Sequence, residues 1–276
     1  MLFDSHAHLN NESYDDASRE ALFKAIEESD VSYVMDVGFD LSSSTMAARH
    51  AARFPWCYAA VGCHPHETDG FDETQITLLA QLARKPKVQA IGEIGLDFFK
   101  EYSTRENQLY WFRSQIELAN SYRMPMIIHD RDAHEKVMTV LKEHGAFSDE
   151  RTSWFPKRPG PGGELAKDAR VLLHCYSGSK ELAQQYIKLG ATISIAGPVT
   201  YDNAKKLVEV VKEIPIEYML IETDAPYLAP VPMRGRQNMS PYLVHTARKV
   251  AEIKGMPYEE VARITCENAK RFFNIY

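Results

Sequence analysis

Eight short apolar runs recur along the chain, each separated from the next by a stretch of helical pattern. They are Met1–Ser5, Ser32–Val37, Tyr58–Gly62, Val88–Gly92, Met126–His129, Val171–His174, Thr192–Ile195 and Tyr218–Glu222. Runs of four to six residues are too short for helices and long enough for buried strands. Between them lie amphipathic segments, the clearest with Leu109, Phe112, Ile116 and Ala119 on one face. Strands alternating with helices imply parallel pairing through helical crossovers. Eight such units in 276 residues match the size of a (β/α)8 TIM barrel, which is the expected fold. A doubly wound open sheet alternates in the same way, and strand counting alone does not exclude it.

With 45% apolar and 25% charged residues the composition is that of an ordinary globular protein, and a single domain over 1–276 is expected. No run of about 18 apolar residues is present, so no membrane span is expected. The absence of a basic, then apolar leader, and four cysteines without CxxC spacing, suggest a cytoplasmic protein with reduced thiols. The formal charge of −6, from 32 basic and 38 acidic residues, argues against coating nucleic acid through a broad basic surface. It does not argue against gripping a short strand beside bound cations, whose charge residue counts omit.

One stretch breaks the pattern. Three prolines and three glycines fall between Pro156 and Gly163, within an insertion spanning about 148–168 that precedes the sixth strand. Such a composition predicts a solvated loop without regular structure. A loop entering a barrel strand lies on the face opposite the active site.

The strand ends carry the chemistry. The first strand delivers His6 and His8, the fourth Glu93, the fifth His129, the sixth His174 and the eighth Asp224. In a parallel barrel these positions share the C-terminal rim of the strands, where side chains converge on the axis. Four imidazoles and two carboxylates so gathered suit a pair of divalent metal ions. Taken singly, a strand-end histidine is more often a hydrogen-bonded structural residue, and Asp224 before Ala-Pro could be a turn former. That account must hold independently for six residues on five strands, which favours the metal site.

These residues sit in a series of motifs: DSHAHL, GCHPH, GEIGLDFF, IIHDRDAH, HCYSGS, ISIAGPVT and ETDAPYLAPVPMRGRQN. In this order, from Phe3 to the C-terminal TCENAKRFF, the sequence resembles the TatD family of metal-dependent deoxyribonucleases, within the amidohydrolase superfamily. The resemblance implies two divalent ions (Mg2+, Mn2+ or Zn2+) and hydrolysis of DNA phosphodiesters, often from the 3′ end. It places His6, His8, Asp224 and Glu93 at one ion, with Glu93 bridging to a second ion completed by His129 and His174. Asp224 is then the expected general base, with Glu93 the bridging catalytic carboxylate.

Around the site, His64, Arg234 and Asn238 are expected to bind substrate, with His66 a weaker candidate. Asp97, Arg131 and Asp132 could orient neighbours, and Phe99, Tyr102, Tyr176 and Tyr201 could stack unpaired bases. Single-stranded DNA ends are the expected partner, because a deep barrel pocket admits a strand end more readily than a duplex. The alternatives are an amidohydrolase-type hydrolase of a small ester or amide, a D-aminoacyl-tRNA deacylase, and a non-catalytic protein with structural metals. Fold does not choose among them.

Overall fold

The computed structural model describes residues 1–276. Its eight barrel strands are Leu2–Ala7, Val31–Val37, Cys57–Val61, Val88–Asp97, Met126–Arg131, Val171–Leu173, Thr192–Ile195 and Met219–Ile221. They pair in chain order and every pairing is parallel. The ring closes at the rim, where Ala7 bridges Ala225 in parallel. There His8 N–H donates to the Ala225 carbonyl at 2.8 Å and Asp224 N–H to that of His6 at 2.9 Å. Below them, Ser5 Oγ donates to the Ile221 carbonyl at 3.0 Å. Contact between the first and last strands excludes the open sheet.

Helices fill the crossovers, and their starts are written in the sequence. Asp15, Asp40, Asp72, Thr104 and Ser179 each cap a helix by accepting from a backbone N–H three residues on. The helices present Ile26, Ala47, Leu79, Ile116, Val137, Tyr186, Val210 and Val250 to the outer surface of the barrel. A second, smaller core gathers alternate strand positions: Phe3, Met35, Val37, Ala60, Ala90, Ile127, Leu172 and Leu220. The C-terminal helix Tyr258–Phe272 and the residues after it join this cluster through Ala269, Phe272, Phe273 and Ile275. Phe273 stacks on Phe3 with ring centroids 5.8 Å apart. The barrel is therefore packed and plugged from the N-terminal end, which leaves the polar strand ends at the other.

Two expectations need correction. The fourth strand does not stop at Gly92 but runs through Asp97, so Glu93 lies within the strand and not at its end. The glycines of GEIG serve close strand packing: a Cβ on Gly95 would lie 2.0 Å from the His129 carbonyl, and one on Gly92 2.6 Å from Ile127 Cβ. The insertion, largely exposed as expected, is not irregular throughout. It holds a short helix, Asp149–Ser153, and a minimal antiparallel hairpin of Arg158–Pro159 with Leu165–Ala166. Pro159 is tolerated because the two-stranded ribbon has a free edge where no N–H is required.

Arg151 and Arg158 are fully buried. Arg151 donates to the carbonyls of Ala169 and Met124, each at 2.8 Å, and Arg158 to that of Ala191 at 2.8 Å. These acceptors lie just ahead of the fifth, sixth and seventh strands. The insertion is thus a clasp on the N-terminal face, remote from the rim. No helix is long and apolar enough to cross a membrane.

Candidate metal centre at the barrel rim

Barrel closure brings all six expected metal-binding side chains into one cluster, with His6, His8, Glu93 and His174 deeply buried and His129 and Asp224 slightly more open. His6 Nε2 and His8 Nε2 lie 3.2 Å apart. Glu93 Oε2 is 3.4 Å from the first and 3.5 Å from the second. Asp224 Oδ1 is 3.8 and 3.5 Å from them. Donor atoms on a tetrahedral ion with bonds of about 2.0–2.2 Å are separated by about 3.3–3.6 Å. The His6, His8 and Glu93 atoms have close to the spacing that a divalent cation requires, and Asp224 lies beside both imidazoles.

Glu93 turns its other oxygen to a second group. Oε1 is 2.7 Å from His129 Nδ1 and 2.7 Å from His174 Nε2, and those two nitrogens are 3.5 Å apart. No lysine or arginine approaches Glu93 or Asp224; every basic group within 4 Å of either is a histidine. Burial raises the pKa of Glu93, but the charges of His174 and His64 and hydrogen bonds from His129 and His174 outweigh it and hold the carboxyl well below its ordinary range. Asp224 is likewise lowered: burial is outweighed by the His8 hydrogen bond and by the charges of His6, His174 and His8. Two buried ionised carboxylates served only by imidazoles form a donor set built for a cation.

Partners behind the rings decide which nitrogen faces inward. His8 Nδ1 donates to the Val37 carbonyl at 2.7 Å, leaving the Nε2 lone pair to the cluster. His129 Nε2 meets Asp97 Oδ2 at 3.2 Å, so Nδ1 is its inward atom. Asp97 also takes His66 Nε2 at 2.8 Å, and its other oxygen accepts the N–H groups of Phe99 and Lys100. His174 Nδ1 lies 3.3 Å from Glu222 Oε1. His6 differs: its Nδ1 is buried without a partner, and the ring is held by stacking on His174 at 4.0 Å.

His64 enters the second group with the opposite polarity. Its Nε2 lies 3.2 Å from His129 Nδ1 and 3.4 Å from Glu93 Oε1. Its Nδ1, however, accepts the His66 backbone N–H at 3.1 Å. Burial pushes the pKa of His64 down to about 4, so near neutral pH the ring is neutral and its one proton sits on Nε2. Where the other rings aim lone pairs, His64 aims a donor.

The remaining expected residues divide. Asn238 is fully buried, and its amide donates to the carbonyls of Thr223 and Tyr227 at 2.8 and 2.6 Å. It braces the turn after the eighth strand and has no donor left for substrate. Arg234 is exposed on the rim, its guanidinium 4.1 Å above the ring of Tyr201. Tyr176 is buried with its hydroxyl given to the Ser179 carbonyl, which removes it as a stacking surface. Phe99 and Tyr102 are exposed, Arg131 lying over the first and Lys100 over the second.

Glu222 was not anticipated. It is fully buried, and besides facing His174 it accepts the Cys175 N–H at 2.6 Å. The signal was available, because Glu222 directly follows the eighth strand, two residues before Asp224.

Residues 3–274 match the family described as TatD related DNase. A Bacillus subtilis protein named uncharacterized metal-dependent hydrolase YabD is 42% identical over 275 residues, covering 100% of both chains. The 3′-5′ ssDNA/RNA exonuclease TatD of Erwinia billingiae is 31% identical over 280 residues, covering 99% of each. The crystal structure of YJJV, a TatD homologue from Escherichia coli K12, superposes with a TM-score of 0.84 at 26% identity, over 100% of this chain and 98% of that one.

Proposed function

The chain belongs to the TatD-related DNase family of metal-dependent hydrolases, and from that membership we propose that it removes nucleotides from the 3′ ends of single-stranded DNA with two divalent cations held at the rim. The observation that carries the reading is Glu93, whose two oxygens face two separate groups of imidazoles. One group is His6, His8 and Asp224; the other is His129 and His174. A single carboxylate shared in this way supports a two-metal site. When bound, the ions supply positive charge to the phosphate and an acidified water.

The protein's own groups do the rest. Asp224 is ionised and, at 14% side-chain exposure, more open than Glu93 at 5%, so it is the better placed to take the proton of the attacking water. His64 presents Nε2–H toward the second group, beside His129 and Glu93, and can steady a non-bridging phosphate oxygen there. Exposed Phe99 and Tyr102, with Arg131 and Lys100 above them, offer stacking faces and cations to an unpaired strand. Recession of the carboxylates inside a closed barrel disfavours approach by an intact duplex. The named exonuclease relative acts on single-stranded DNA and RNA, which agrees with this direction.

The test is a 5′-labelled single-stranded oligodeoxynucleotide incubated with protein in Mg2+, Mn2+, Zn2+ or EDTA, beside its duplex and an RNA of the same sequence. Stepwise shortening that EDTA and Glu93→Ala abolish is expected. No cleavage in any metal, or equal cleavage by the variant, rejects the proposal.

A further inference from the structure

Beside the metal centre, a groove of about 630 Å3 opens between the segment after the first strand and the turn after the eighth. It is lined by Asn11, Glu12, Ser13, Pro226, Tyr227 and Gln237. Tyr227 is 53% exposed, and its ring lies 6.2 Å from that of His8. Its backbone N–H donates to the Asp224 carbonyl at 2.9 Å, so the same turn positions the ring and the carboxylate. Asn11 Nδ2 donates to the Tyr227 hydroxyl at 3.0 Å, and Gln237 Nε2 to Ser13 Oγ at 3.2 Å. The two walls are tied together and the ring is fixed before anything binds.

We propose, building on the nuclease reading, that this groove receives the 3′-terminal nucleotide, with its base on Tyr227 and its free 3′-hydroxyl read by Glu12. The groove is large enough to take a nucleotide. A phenol held in place and half open to solvent is a stacking face for any base. Charge selects the terminal nucleotide over an internal one. The lining carries a single charged residue, Glu12, and it is negative. A strand running on through the groove would bring its next phosphate against that carboxylate. A terminal nucleotide bears no phosphate beyond the one being cut, and its hydroxyl can donate to Glu12. The continuing strand has a better path on the far side of the centre. There Tyr102 lies 4.8 Å from His66, and Lys100 and Arg131 supply positive charge.

The test measures kcat/KM for the first cut of 5′-labelled single strands. They end in a normal 3′-nucleotide, in an abasic terminal residue, in an abasic penultimate residue, or in a 3′-phosphate. The wild type should lose about tenfold when the terminal base is removed. Tyr227→Ala should lose about as much on the normal strand and nothing further on the terminal abasic one, while Tyr227→Phe, which keeps the ring, should retain the discrimination. Glu12→Gln should narrow the preference for a 3′-hydroxyl over a 3′-phosphate several-fold. Multiplying losses for Tyr227→Ala and terminal base removal, coupling to the penultimate base instead, or unchanged 3′-phosphate discrimination in Glu12→Gln each overturn the assignment. If the wild type cuts the normal strand while these effects are missing, only the subsite is rejected. If it cuts no strand at all, the nuclease reading falls with it.

Discussion

Within the cluster the imidazoles do two different jobs, and for every ring but His6, whose Nδ1 has no partner, the group behind the ring sets the job. His8 gives Nδ1–H to a carbonyl and His129 gives Nε2–H to Asp97, so each turns a lone pair inward. His64 accepts at Nδ1 and so turns a proton inward. Replacing His64 by Phe should therefore leave metal content unchanged while lowering kcat by about a hundredfold, the usual cost of losing one donor to a developing oxyanion. Metal analysis of the purified variant beside its turnover separates the two roles; loss of metal would make His64 a ligand. Glu222 acts one step back, through His174. Glu222→Gln keeps an acceptor for the Cys175 N–H but weakens the orienting contact. It should raise the metal concentration for half-maximal activity about tenfold, read from a metal titration. The expected metal-binding residues were legible because each ends an apolar run. Asn238 was misread for the opposite reason: an amide in a polar loop looks free until tertiary contacts consume it.

Among the elements, the segment hardest to read was the insertion. Its prolines and glycines forbid a long helix or strand, which is true, but they do not forbid burial. What fixes it is arginine. Arg158 lies over the Tyr218 ring at 4.2 Å and donates to Ala191 O and to Thr192 Oγ1, at the entry to the seventh strand. No local pattern announces that a guanidinium in a Pro/Gly-rich segment will be spent on carbonyls of distant segments. Arg158→Ala should cost about 3 kcal/mol, since it opens a cavity and strands a buried carbonyl. Urea unfolding would measure the loss. Turnover of the folded fraction should be unchanged, because the clasp is on the face away from the centre. The fourth strand teaches the complementary lesson. Glycine is common in turns, yet in GEIG it permits strands to approach where any Cβ would collide with Ile127 or His129.

Across the whole molecule, the candidate centre is a long-range object. Its donors come from the first, fourth, fifth, sixth and eighth strands, and nothing but a closed ring unites them. In the unfolded chain His6 and Asp224 are separated by most of the sequence, so no comparable donor set survives unfolding. A cation that binds only the folded state stabilises it by mass action, about 2.7 kcal/mol at a hundredfold excess over its Kd. For a chain of this size that corresponds to a rise in Tm of roughly 5 to 10 °C. Thermal scans of metal-stripped protein, with and without Mn2+ or Zn2+, should show that rise. Glu93→Ala should lose most of it, because Glu93 alone faces both groups. His129→Ala should lose only part, since His6, His8, Asp224 and the Glu93 Oε2 atom keep their mutual spacing without it. Equal shifts in the two variants would mean that the groups do not fill separately, and would count against a shared carboxylate between two ions.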